Sequence, residues 1–278
     1  MTWTILILVV GILLFLFGGM LLPKGDDKKP SAGKIVAKKC IALISIILIS
    51  GSMCRMYMPY YLTAVNPAIV QEMITGMQEQ QQAEKNKQIR KFVRSEGDKM
   101  MRDAPVLGNR KDAKKTIYVW TDFSCPFCRR VHGELERVLA DRDDTRVVIK
   151  NFSIHGPLSD APAKAVIAAN LQDPEKAAEL TNMLMTREFY TQDDLKDQSK
   201  LAEKVEANVM KMAKEVGLDT EKLKEDMKGD VVAREMRNVR DLAQRFEING
   251  TPFLIVGEQA FPGAIPADQI EAALEDAE

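Results

Sequence analysis

From Trp3 to Leu22 the sequence WTILILVVGILLFLFGGMLL carries no charged residue. A helix of that length, rising about 1.5 Å per residue, crosses the roughly 30 Å hydrocarbon core of a bilayer. The run therefore predicts a transmembrane helix over residues 3–22. No Lys or Arg precedes it and no clear small-residue cleavage site follows, so the expectation is an anchor rather than a cleaved leader. A second apolar run, CIALISIILISGSM from Cys40 to Met53, extends to Tyr61 if Arg55 snorkels toward the headgroups, with Tyr57, Tyr60 and Tyr61 as an interfacial belt. Pro59 is expected to break its tail. Between the runs, the loop 23–39 holds Lys24, Lys28, Lys29, Lys34, Lys38 and Lys39 against Asp26 and Asp27, which by the positive-inside rule places it in the cytoplasm. Everything beyond residue 61 is then expected outside the cytoplasm, where disulfides persist.

Charge divides the chain at about the same place. Its formal net charge is -1, but residues 1–103 sum to +6 and residues 104–278 to -7. That balance argues against a chain-wide nucleic-acid surface. Residues 104–278 are long enough for one cored domain. Residues 66–103 between anchor and domain are rich in Gln, Glu, Lys and Met and read as a helical stalk reaching about 50 Å. Pro67 suits its first helical position. Val70, Met73 and Met77 keep heptad spacing, after which Gln80 and Glu84 break it, while Ile89, Phe92 and Val93 reopen an apolar face. The stalk is either a solvated spacer or an oligomerisation segment.

The chemistry lies in KKTIYVWTDFSCPFCRRVHGELERVLA. Ile117 to Trp120 reads as a short strand, and Val131, Leu135, Val138 and Leu139 recur at helical spacing. Cys125 and Cys128 sit where strand turns to helix, with Pro126 in the first turn and Ser124 or Cys125 as N-cap. A thiolate at Cys125 would face unpaired N–H groups and the positive end of the helix dipole, which favours it and makes Cys125 the expected attacking thiol. Cys128, one turn on, is the natural resolving partner. Arg129 and Arg130 either favour the thiolate or form a solvated helix face. A zinc site would need four ligands, and no second Cys pair follows. No metal and no cofactor are expected. Cys40 and Cys54, about 21 Å apart on one helix, cannot complete a site; Cys40 reads as an apolar filler and Cys54 as able to pair with its own copy. His132 and His155 read as structural or exposed.

The order of strand, Cys125-Pro126-Phe127-Cys128, helix, strand (Arg146 to Phe152), a long helical stretch (about 161–246) and Gly250-Thr251-Pro252-Phe253-Leu254-Ile255-Val256 resembles the DsbA-type thiol–disulfide oxidoreductases, an α/β thioredoxin fold with a helical insertion. The resemblance covers about residues 104–278. It implies that Pro252 is a cis-proline facing the Cys pair, that Thr251 offers its backbone to an extended substrate, and that Pro126 and Phe127 tune the pair. Phe253 to Val256, a Gly257-Glu258 turn, Gln259 to Phe261 and a helix from Pro266 to Asp276 would complete the fold. Pro126-Phe127 departs from the Pro-His of strongly oxidising DsbA proteins. Thr251 is more similar to the isomerase-type DsbC and to ScsC-like members, which also carry an N-terminal oligomerising helix.

These readings converge on a membrane-anchored oxidoreductase that introduces disulfides into exported cysteine-containing proteins. It would face the periplasm or cell exterior from the inner membrane and be served by a membrane or periplasmic redox partner. Membrane lipid and a homo-oligomer through the stalk are further expected partners; nucleic acid is not. Two rivals stand beside it: a disulfide isomerase or reductase of the DsbC/ScsC type, and a thioredoxin-like assembly factor holding Cu(I) on the Cys pair with help from His155.

Overall fold

A computed structural model describes residues 2–17, 32–61 and 67–276. The chain forms two compact units, divided after Gln81.

In the first unit α1 (Thr2–Phe17) and α2 (Ala32–Tyr60) pack against each other. Gly11 permits the approach, because a Cβ there would lie 3.1 Å from atoms of Leu48 and Ile49. Leu6, Leu13, Leu16, Ile44 and Ile47 stay exposed, the mark of helices apolar all round. Residues Val36–Tyr60 are long and apolar enough to cross a membrane, whereas the described part of the first apolar run is a shorter helix, Trp3–Phe17. Residues 18–22 and the loop lysines Lys24, Lys28 and Lys29 lie outside the described residues. Lys34, Lys38 and Lys39 fall within α2 rather than in a loop, since Ala and Lys are strong helix formers that extend the helix ahead of Cys40. Pro59, expected to break the tail, instead lies inside the helix, which runs on through Tyr60. Cys40 and Cys54 are both exposed free thiols.

The next helix, α3 (Pro67–Met101), contributes to both units. Its early turns expose Ile69, Met73, Ile74 and Met77. From Gln82 onward the helix belongs to the second unit, although composition assigned residues 66–103 to a stalk. The reason is the reopened apolar face: Ile89 and Met100 are buried, and Phe92 meets Phe246 edge-on beneath the Arg245 guanidinium.

The second unit is built on a five-stranded sheet. After β1 (Val106–Gly108), the unit β2 (Lys115–Thr121), α4 (Pro126–Asp141) and β3 (Thr145–Asn151) sets β2 and β3 parallel. The strand β1 carries no pattern legible in the sequence; it pairs antiparallel with β3. Five helices then fill the span to β4: α5 (Pro157–Gln172), α6 (Pro174–Thr186), α7 (Leu201–Glu215), α8 (Thr220–Asp226) and α9 (Asp230–Arg245). Asp173 and Asp219 cap α6 and α8 by accepting from N–H groups of the first turn. An antiparallel hairpin, β4 (Phe253–Val256) and β5 (Gln259–Pro262), follows, and α10 (Ala267–Glu275) ends the fold. Its two-residue turn starts at Gly257, whose φ of 57° suits glycine at the first turn position.

The sheet order β1-β3-β2-β4-β5 leaves β2 in the centre. Alternation sends Ile117 and Val119 toward Val131, Leu135 and Val138 of α4 and Leu274 of α10, while Tyr118 and Trp120 face α9 and α3. The inserted helices close on a core of their own, including Leu180, Leu184, Val205, Val209 and Phe123. One charged pair is sealed inside. Lys150 of β3 donates to Glu235 of α9 at 2.8 Å with both side chains buried. Burial pushes the Lys150 ammonium down and the Glu235 carboxyl up, and their attraction opposes both shifts.

If residues from Gln82 belong to the domain core, Ile89→Ala will lower the unfolding free energy by about 2–4 kcal/mol in denaturant titration. A change below about 0.5 kcal/mol would return this part of α3 to the role of a spacer.

Candidate active site

Where β2 ends, the chain makes a tight turn into α4. Cys125 is the N-cap, with extended backbone (φ -81°, ψ 121°), and Pro126 occupies the first turn, where its missing N–H costs nothing. The Cys125 carbonyl accepts from the N–H groups of Cys128 and Arg129, and the Cys125 N–H donates to the Asp122 carbonyl. Both cysteines are buried, Cys125 at 5% exposed and Cys128, one turn deeper, at 1%. Both thiols are free.

The loop before β4 meets this turn. The Thr251–Pro252 peptide is cis, and the Cys125 thiol donates to the Thr251 carbonyl at 3.5 Å. Thus Cys125, Cys128, Thr251 and Pro252 converge on one point, while Phe127 between the cysteines is 55% exposed. The Cys128 sulfur accepts from the Asp122 backbone N–H at 3.4 Å. Burial raises its thiol from the ordinary value to about 12, against the opposing influence of the Thr251 hydroxyl, the Asp122 N–H and the Thr121 hydroxyl. Asn151, registered against Thr121 on the neighbouring strand, is buried with neither amide atom hydrogen-bonded to protein.

The two arginines after the pair go elsewhere. Arg129 donates to the Phe123 carbonyl and lies over the Phe189 ring, and Arg130 lies over Phe127. His132 is buried and bonds Asn182 across to α6. Among the described residues no group of three His, Cys, Asp or Glu side chains is placed to hold a metal ion.

Asp122 is the residue that sequence reasoning passed over. It is 1% exposed, yet its carboxylate accepts five hydrogen bonds. The Ser124 N–H, Ser124 hydroxyl and Ser159 hydroxyl reach Oδ1, and the Ile154 N–H and His155 Nδ1 reach Oδ2, all at 2.7–2.9 Å. Burial works against its charge, but the bonds from Ile154, Ser159, His155 and Ser124 outweigh it and hold the carboxyl below the ordinary carboxylate range. The stability this contributes is present above the unfolded value near 3.9 and is lost as pH falls through the lower native value. The one sequence signal was an acid three residues before Cys125 between the apolar Trp120 and Phe123; apart from Ser124, its partners lie more than thirty residues away.

A cysteine pair at the start of a helix, packed on a cis-proline loop at the end of a mixed sheet, defines the thioredoxin-fold thiol–disulfide oxidoreductases. The comparisons make this specific: residues 116–275 match the model of the DSBA-like thioredoxin domain, and the chain belongs to that family. A thioredoxin-like oxidoreductase from Silicibacter pomeroyi superposes with a TM-score of 0.55 at 31% identity, covering 63% of this chain and 92% of that one. Proteus mirabilis ScsC in a transitional conformation gives 0.54 at 25% identity over 82% of this chain and 96% of its own. Among curated proteins, Disulfide bond formation protein D of Bacillus subtilis is 22% identical over 183 residues, 64% of this chain and 79% of that protein. The Na(+)/H(+) antiporter NhaA 1 of Mycolicibacterium gilvum is 32% identical over 173 residues, and the chain spans only about a quarter of that relative's length.

The buried Cys128 thiol has a direct consequence. In the reduced Cys125→Ala protein, iodoacetamide labelling of Cys128, followed by peptide mass mapping, will stay slow at neutral pH and rise only as pH approaches 12. A rate that levels off below pH 9 would show that the thiol is not held as described.

Proposed function

We propose that this protein is a membrane-anchored, extracytoplasmic oxidase that introduces disulfide bonds into exported proteins. The observation that carries the reading is Cys125 at the N-terminus of α4, against the Thr251 carbonyl and above the buried Cys128. Of the two sulfurs Cys125 is the less buried and Cys128 lies one turn deeper, so Cys125 is the one a substrate thiolate reaches. In the oxidised enzyme a substrate thiolate attacks the Cys125 sulfur, breaks the Cys125–Cys128 bond and leaves a mixed disulfide with Cys128 reduced. A second substrate thiolate attacks the substrate sulfur of that bond and expels Cys125. Two substrate thiols have become one disulfide, and the enzyme disulfide has become two thiols. A redox partner in the membrane or periplasm must take those two electrons.

Docking follows from the same loop. The Thr251 backbone pairs with an extended substrate segment by strand addition, and the exposed Phe127 ring offers it apolar contact. The inner membrane as the site of action rests on the apolar helix Val36–Tyr60 and on the lysines between the two apolar runs.

A second reading, a disulfide isomerase, is favoured by one further observation. The match to Proteus mirabilis ScsC in its transitional conformation covers 82% of this chain, more than residues 104–278 contain, so the likeness reaches into α3, whose early turns expose Ile69, Met73, Ile74 and Met77. An oligomer joined there would present several Cys pairs to one misfolded substrate.

The full chain in detergent will oxidise a reduced test protein, and Cys125→Ser will lower that rate by at least about a hundredfold; an unaffected rate would end the oxidoreductase reading. Glutathione titration separates the two directions. A potential near the roughly -120 mV of a strong oxidant supports disulfide donation, whereas a value at or below roughly -200 mV supports isomerisation or reduction. Light scattering that finds only monomer removes the oligomeric isomerase.

A further inference from the structure

Thiol–disulfide exchange makes a demand on Cys128 that its burial resists. Its sulfur leaves as a thiolate when a substrate attacks Cys125, and it must become a thiolate again to close the pair. The ionisable side chains around it are engaged elsewhere. The Asp122 carboxylate is bonded to Ser124, Ser159, Ile154 and His155, and His132, one turn along α4, is bonded to Asn182. What faces the sulfur is a set of neutral polar atoms. Thr121 and Asn151 stand in register on β2 and β3. By alternation they share a face with Ile117, Val119, Val147 and Ile149, which pack on α4. The Thr121 and Thr251 hydroxyls lie close enough to the Cys128 sulfur to favour its thiolate. Asn151 is one strand spacing beyond Thr121, about 4.8 Å, a gap that a single water bridges. Both Asn151 amide atoms and the Thr251 hydroxyl are buried and unbonded to protein. Orphaned polar atoms around one buried thiol are costly, and a water with several polar partners relieves that cost.

We infer that Asn151, together with the Thr251 hydroxyl, holds a buried water against the Cys128 sulfur, and that this water carries the proton to and from Cys128 as the pair opens and closes. The inference rests on the thiol–disulfide reading above and deepens it. Asn151 is a positioning residue, since it acts through the water. On opening, the substrate thiolate bonds to Cys125, the Cys125–Cys128 bond breaks, and Cys128 keeps the electron pair as a thiolate. The water passes a proton to that sulfur and regains one from solvent by way of the Thr251 hydroxyl, whose residue is half-buried beside Cys125. On closing, the proton leaves by the same path, the Cys128 thiolate attacks the Cys125 sulfur of the mixed disulfide, and the redox partner's sulfur departs with the electron pair.

Two readouts on the full chain in detergent test this. In the Cys125→Ala protein, iodoacetamide labelling with peptide mass mapping reports how readily Cys128 ionises. Adding Asn151→Leu, which keeps the size and removes both amide atoms, will slow that labelling at about pH 10 by at least about tenfold, the worth of one hydrogen bond to a charged group. Loosened packing would admit solvent and speed the labelling, so the sign separates the two causes. The second readout is closure. With Cys40 and Cys54 changed to serine, Cys125 of the reduced chain attacks Ellman's reagent and releases one thionitrobenzoate; Cys128 then attacks Cys125 and releases the other. Asn151→Leu and Thr251→Val will each lower the rate of the second release relative to the first by about tenfold. Labelling that is unchanged or faster, or an unchanged ratio of rates, overturns the inference. Should Asn151→Leu fail to fold, the ratio in Thr251→Val decides alone. An unaltered pair that never gives the second release overturns the oxidoreductase reading instead.

Discussion

The pairing of β2 with β4 governs the site, because it sets Trp120 opposite Phe253. Continuing one strand past Trp120 leads to the Cys125 turn, and continuing the other backward from Phe253 leads to Thr251 and Pro252. Two segments separated by well over a hundred residues therefore meet at one end of the sheet. A slip of one residue would turn Ile117 and Val119 away from α4 and bring Tyr118 and Trp120 into their place. Burial on both faces forbids that slip. The register is held by packing against α4 and α10 on one side and against α9 and α3 on the other, so the core enforces the distance between Cys125 and the Thr251 carbonyl.

A site placed at the end of a buried sheet must keep its polar groups away from water, and each one is handled differently. Cys128 stays a thiol, because burial pushes its ionisation up to about 12. Asp122 stays charged, because five donors replace its lost hydration. Lys150 and Glu235 keep each other, with Asn238 donating to the second Glu235 oxygen. That pair bolts the last inserted helix to β3, next to the strand that carries the cysteine turn. Removing one partner of such a pair typically costs about 3–5 kcal/mol, because the other charge remains buried. The insertion is therefore joined to the thioredoxin core by charge as well as by apolar packing.

The Cys pair, the strand before it, the helix after it and the Gly-Thr-Pro loop were legible because each has a local signature: Pro126 at a helix start, β-branched runs, apolar residues at helical spacing. Asp122 was not, since its meaning depends on Ser159, Ile154 and His155, which the fold brings in from beyond β3. Lys150 reads as one polar residue inside a strand, and nothing nearby in sequence names Glu235 as its partner. The strand β1 was too short to announce itself. The boundary between the two units falls inside α3 for a physical reason: Gln82 and Asn86 look solvated by composition, yet their side-chain amides bond the Ala260 backbone of β5.

That contact bears on where another chain can add to the sheet. As the outermost strand, β5 offers unpaired backbone groups to any extended peptide. Here the Gln82 side chain donates to the Ala260 carbonyl, and the Asn86 side chain accepts from the Ala260 N–H, so two side-chain amides occupy the positions a foreign strand would use. Arg90 and Arg94 of the same helix bind Glu258 in the hairpin turn and hold α3 along that edge. At the opposite edge Arg110 donates to the Val106 carbonyl of β1. With side chains bonded to the backbone of both outer strands, neither β1 nor β5 presents a wholly bare edge on which a second chain could extend the sheet.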